Sequence, residues 1–178
     1  MSITEIIKLI KEYCDNGSLF PMEPQIPSDP ILRSLYVSAG INQMLIGPWE
    51  NQKQEEEWGA ARAIMDSFVS GRIISVPKPG TNNKSRHQMA QLEPEQDGIW
   101  EIRTTKPKPG IRLAGLFVKQ DLFVVLTWDE RRLLDNFGSK QWRILVLGCQ
   151  TEWKNLFFTY LPFKGDSAHD YITNIFLN

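Results

Sequence analysis

The chain has 178 residues, of which 42% are hydrophobic and 23% charged; this is ordinary globular usage and excludes a fibrous or globally disordered chain. Lys and Arg total 20 against 21 Asp and Glu, a formal net charge of -1, so a uniformly basic nucleic-acid binder is excluded and a locally basic one is not. Cys14 and Cys149 form neither a disulfide framework nor a zinc spacing, and no metal or cofactor is called for. No stretch reaches the ~18 apolar residues of a membrane span, and the first residues lack a basic leader. The expectation is a cytoplasmic protein with no membrane partner.

Ile3, Ile6, Ile7, Ile10 and Tyr13 follow helical spacing, with Lys8, Lys11 and Glu12 opposite. Ser2 or Thr4 caps this helix, and Asn16-Gly17 ends it. Pro21, Pro24, Pro27 and Pro30 fall in one loop, where helix and central strand are blocked. A short helix is predicted from Pro30 to about Ser38. A longer one runs from about Glu50 to Val69, with Glu55, Glu56 and Glu57 near its start and Trp58, Ala61, Met65 and Phe68 on one face. Residues 1–49 read as an acidic, proline-rich helical arm or cap, and residues 50–178 as the core with a C-terminal extension.

From Ile73 the pattern turns to strands. Arg72–Val76 and Gln88–Leu92 are short runs, separated by a polar loop over Gly80–Ser85. Ile99–Thr104, Ile111–Val118 and Leu122–Trp128 suggest an antiparallel meander, and the apolar content of its last two strands suggests burial on both faces. Trp142–Gly148 and Asn155–Leu161 read as two further strands, and Asp166–Phe176 as a terminal helix capped by Asp166 or Ser167. The fold class is α+β: N-terminal helices packed on a mostly antiparallel twisted sheet.

Charge is unevenly spread. Residues 1–60 carry four bases and nine acids. Residues 103–119 carry Arg103, Lys106, Lys108, Arg112 and Lys119 with no acid, and residues 72–86 carry Arg72, Lys78, Lys84 and Arg86 with none. Such clustering makes a local field that attracts phosphate. Solvated loops and strand ends are the plain alternative.

One stretch is more specific. Gly98, Trp100-Glu101-Ile102-Arg103, Ile111-Arg112-Leu113, the apolar strand Leu122–Leu126 and Arg131-Arg132 follow one another after a helix that ends in Phe68-Val69-Ser70-Gly71. This order resembles the RelE/ParE toxin superfamily, most closely its HigB-like, phage-borne branch, over roughly residues 55–135. The resemblance implies a RelE-like core with N- and C-terminal extensions. It also implies a metal-independent endoribonuclease that cuts mRNA, with RNA or the ribosome as target and an antitoxin as protein partner. Arginine suits that chemistry because its fixed planar donors match phosphate charge. By motif position, Arg112 is the candidate phosphate stabiliser, joined by Arg103 on the neighbouring strand and by Arg131 and Arg132. Lys84, Arg86, Lys106, Lys108 and Lys119 are the candidate nucleic-acid contacts.

The chain departs from that pattern in two places. Trp128-Asp129-Glu130 brings acids before the two arginines, and Phe137 stands where some members carry a late proton-transferring Tyr or His. Each candidate also has a structural reading. Arg103 and Arg112 pair with Glu101, Asp121 or other acids across strands. Arg131 and Arg132 open a solvated helix. Trp100 and Trp128 pack, His87 is an ordinary surface histidine, and His169 has no serine or cysteine motif near it in the sequence to make a catalytic triad. Three readings therefore stand: the nuclease, a non-catalytic mobile-element protein that contacts nucleic acid or blocks a protein partner, and an unrelated α+β domain whose strand patterning is coincidental. In the second, the acidic N-terminal residues suit a protein partner or an internal cover over the basic strands.

Overall fold

The structure is a computed structural model, and it describes residues 2–79, 87–134 and 139–178. In chain order it contains α1 (Ile3–Asp15), β1 (Leu19–Pro21), β2 (Ser34–Ser38), α2 (Ala39–Ile46) and α3 (Gln52–Val69). Then come β3 (Ile74–Val76), β4 (Met89–Gln91), β5 (Ile99–Arg103), β6 (Ile111–Lys119) and β7 (Leu122–Glu130), and finally α4 (Lys140–Phe157), α5 (Ala168–Tyr171) and β8 (Ile175–Leu177). The chain is α+β. Its main sheet has the order β1-β2-β7-β6-β5-β4, and β3 pairs with β8 in a separate two-stranded sheet.

The β5–β6–β7 meander forms as its patterning predicts, and every residue of β6 except Lys119 is buried. Alternate side chains divide between two cores. Trp100, Ile102, Leu113, Phe117 and Val125 meet Trp58, Met65 and Phe68 of α3 on one face. Ile99, Ala114, Leu116, Val124 and Leu126 meet Ile6 and Ile10 of α1 and Trp142, Leu145, Cys149, Trp153 and Phe157 of α4 on the other. The sheet is the middle of three layers, which is why its central strands read as continuous apolar runs.

Ser2 caps α1 in a reciprocal capping box with Glu5. Asn51 caps α3 by accepting from the Gln54 N–H. Ser139 caps α4 by accepting from the Trp142 N–H.

Four expected elements differ. Residues 34–38 form a strand, not a helix: Leu35 and Val37 alternate with half-buried neighbours, and β2 lies parallel to β7 with Leu35 opposite Phe123. Residues 1–49 are thereby more than a helical arm, since β1 and β2 extend the main sheet. The two strands expected within residues 142–161 are one helix, α4. The terminal segment is helical only over α5 and ends as β8, parallel to β3. The loop at residues 80–86 lies outside the described residues.

Arg33 ties these late and early parts together. It is 2% exposed, and its guanidinium donates to the carbonyls of Phe68 (3.1 Å), Arg72 (3.0 Å) and Thr173. Asp121, 3.4 Å from Arg33 Nε, also accepts from the N–H and hydroxyl of Thr173. The Phe68 carbonyl at the end of α3 also accepts the Gly71 N–H at 3.0 Å, and one buried cation joins it to carbonyls on either side of the β3–β8 pair.

Candidate functional site

Cross-strand register brings the central arginines together. Arg103 stands opposite Arg112, Arg112 opposite Asp129, and Glu101 opposite Ala114. Directly opposed residues of an antiparallel pair share a face, so Glu101, Arg103 and Arg112 all point to the side that α4 covers. Gly110 makes the turn into β6 at a φ of +76°, and a Cβ there would lie 2.3 Å from the Thr104 oxygen; glycine is required for this approach. The Gly110 carbonyl then accepts the Arg131 N–H at 2.9 Å, which anchors the basic segment after β7 beside the same sheet end.

Glu101 is 0% exposed, and Arg103 and Arg112 are each 7% exposed. Arg103 Nε donates to Glu101 Oε1 at 2.7 Å, and its Nη2 donates to the same oxygen. Arg112 Nε lies 3.5 Å from Glu101 Oε2, and its Nη1 donates to the carbonyls of Thr104 (2.9 Å) and Ile111 (3.0 Å). Two guanidiniums therefore share one carboxylate. Burial pushes the Arg112 guanidinium down to about 10; Glu101 opposes that fall, and Arg103 and Arg131 add to it. The cluster is charged, desolvated and internally paired. It is not an open cradle for phosphate.

The other candidates surround it unevenly. Lys106 and Lys108 are exposed in the β5–β6 loop at this sheet end. Arg131 is half-buried there and Arg132 exposed. Arg132 donates to both carboxylate oxygens of Glu130, and this pairing holds the Glu130 carboxyl below its ordinary range. Lys119 sits at the far end of β6, seven residues from Arg112 and so about 24 Å away; it belongs to a different surface. Lys84, Arg86 and Phe137 lie outside the described residues. Trp100 is core, edge-on to Phe117 at 5.7 Å, and Trp128 packs edge-on to Trp58 at 4.8 Å. His87 is buried and not a surface residue, while His169 is exposed and its carbonyl accepts from Gln120. Among the described residues no three His, Cys, Asp or Glu side chains gather as a metal site, and no helix is long and apolar enough to cross a membrane.

One neighbour had no signal in the sequence. Lys53, in the first turn of α3, lies close enough to Glu130 to stabilise its charge and also pairs with the buried Glu57 at 3.8 Å. It adds a fifth cation to the sheet end carrying Lys106, Lys108, Arg131 and Arg132, although it is separated from them by more than fifty residues of sequence.

Comparison of the chain with family models, with curated proteins and with solved structures returns no match.

Proposed function

We propose that this chain is a RelE/HigB-like, toxin-type protein that works by binding RNA and not by cutting it. The observation that carries the reading is Glu101. Its fully buried carboxylate engages both arginines that a nuclease would turn toward the scissile phosphate. Catalysis by Arg112 would require the guanidinium to leave Glu101 and two carbonyls and reach solvent, with no binding energy set aside for that exchange. The exposed cations remain. Lys106 and Lys108 on one loop, with the half-buried Arg131 and the Glu130-paired Arg132 beside them, form a basic rim over a sheet end whose buried interior also carries surplus positive charge. Such a rim holds a flexible anionic backbone without reading its sequence.

The test pairs binding with cleavage. Wild type binds single-stranded RNA with an affinity that falls as salt rises, and leaves the RNA intact with or without ribosomes. Lys106→Ala with Lys108→Ala lowers the slope of log affinity against log salt by about 1.4, at roughly 0.7 per phosphate contact on a single strand. Cleavage by wild type that Arg112→Met abolishes, with the fold retained, returns the nuclease reading. Absence of both binding and cleavage removes RNA as the target.

A further inference from the structure

α4 carries two apolar stripes, and the fold uses one. Trp142, Leu145, Cys149, Trp153 and Phe157 point inward. Ile144 and Leu147 point outward and are more than half exposed, Phe158 follows at 88% exposure, and Leu161 just beyond is 83% exposed. Ile144, Leu147 and Phe158 share the outer face, with Thr151 and Lys154 between the second and third of them.

Beside this ridge lie two hollows of about 340 and 390 Å³ that share Asp97 and Gln150 and so form one groove. It is lined by apolar side chains, Pro94, Val146 and Leu147 at one end and Trp153, Phe157 and Leu161 at the other. Its banks are opposite in charge. Arg143 and Lys154 stand on the helix, and Glu93 and Asp97 stand on the turn before β5, where Lys164 also lies, against Gly98. Exposed apolar side chains gathered at both ends of an apolar-lined groove mark an interaction site.

The charge pattern selects the occupant. A body that fits must bring an apolar ridge flanked by bases to the acidic bank, and acids to the basic one. The chain carries that body: the outer ridge of α4 has Arg143 and Lys154 beside Ile144, Leu147 and Phe158, next to its own acidic turn. A two-fold rotation sets each copy's ridge in the other's groove, the self-complementary arrangement of a closed dimer. α4 has 18 residues and is about 27 Å long, which matches the breadth of a standard interface patch of roughly 800 Å² per partner. We propose that this face is a homodimer interface, with α4 of each copy seated between α4 and the Glu93–Asp97 turn of the other.

Sedimentation of the full chain over a concentration series tests this. The expected result is a dimer mass that dissociates to monomer on dilution. Leu147→Glu and Phe158→Glu, which replace exposed side chains, each weaken association at least tenfold and leave the monomer's thermal midpoint unchanged. Lys154→Glu weakens association, and adding Asp97→Lys restores it. A monomer mass at every concentration overturns the proposal. So does a dimer indifferent to Leu147→Glu and Phe158→Glu, and so does a mass that grows without closing at two. RNA binding plays no part in these outcomes.

Discussion

Glu101→Gln is the substitution that interrogates the buried cluster most directly. Glutamine keeps the volume and one acceptor oxygen, so no cavity opens and Arg103 retains a partner. The charge is lost, and two guanidiniums that are each 7% exposed are left in the interior with no anion between them. An ion pair at about 4 Å is worth roughly 4 kcal/mol at the effective dielectric that suits protein sites. Two such attractions disappear, while the cost of burying the carboxylate is recovered. The net expectation is a destabilisation of about 3–5 kcal/mol, the range seen when one partner of a buried pair is removed. In urea this lowers the unfolding midpoint by about 2 M at a slope near 2 kcal/mol/M. Arg112→Met gives the contrast: it removes the surplus cation, leaves Arg103 paired with Glu101, and costs only about 1–2 kcal/mol, chiefly for the Thr104 carbonyl that loses its donor. In the Glu101→Gln background the same change is neutral or stabilising, so the two effects are strongly non-additive. A Glu101→Gln protein within about 1 kcal/mol of wild type would refute the reasoning. It would mean that water reaches the cluster, and the same access would let a phosphate reach Arg112.

Other positions give separate checks. Burial lowers the Arg112 guanidinium to about 10, well below the ordinary arginine value, so between the two the unfolded chain holds more protons than the folded one, and this group makes stability rise with pH. Below about 10 both states hold the proton and the dependence vanishes. The stability difference between wild type and Arg112→Met should therefore shift in favour of wild type as pH climbs past 10, measured by urea midpoints at stepped pH. Gly110→Ala should cost about 2–3 kcal/mol, because a Cβ meets the Thr104 oxygen at a positive φ, with thermal unfolding as the readout. Arg33→Met should cost about 3 kcal/mol or more and should raise amide exchange through residues 173–177, since the carbonyls that hold the C-terminal strand to α3 lose their common donor.

Local patterning was enough for much of this fold. The 3.6-residue spacing of α1 and α3 and the patterning and turn chemistry of β5, β6 and β7 are properties of neighbouring residues, and the structure keeps each of them. The possibility that Arg103 and Arg112 pair with Glu101 was likewise visible, because residues 101 and 103 fall on one face of a strand and the neighbouring strand brings Arg112 beside them. What local patterning missed has a physical cause in each case. α4 read as strands because Ile144-Leu145-Val146-Leu147 fills both of its faces with apolar side chains; the period at 142, 145, 149, 153 and 157 was present, but the outward stripe obscured it. β2 read as a helix because five residues after a proline loop carry too few turns of either period to decide, and the edge of β7, some ninety residues later, settled them as strand. Charge clustering in the sequence also cannot distinguish a cation in water from one in the core. That distinction depends on α4 and the Leu134 segment closing over one sheet face, where desolvation makes Glu101 a partner the arginines must keep. Sequence thus determined which residues are charged, which run as helix or strand, and roughly in what order. Tertiary packing decided which of those charges still face solvent, because burial is set by contacts between segments far apart in the chain.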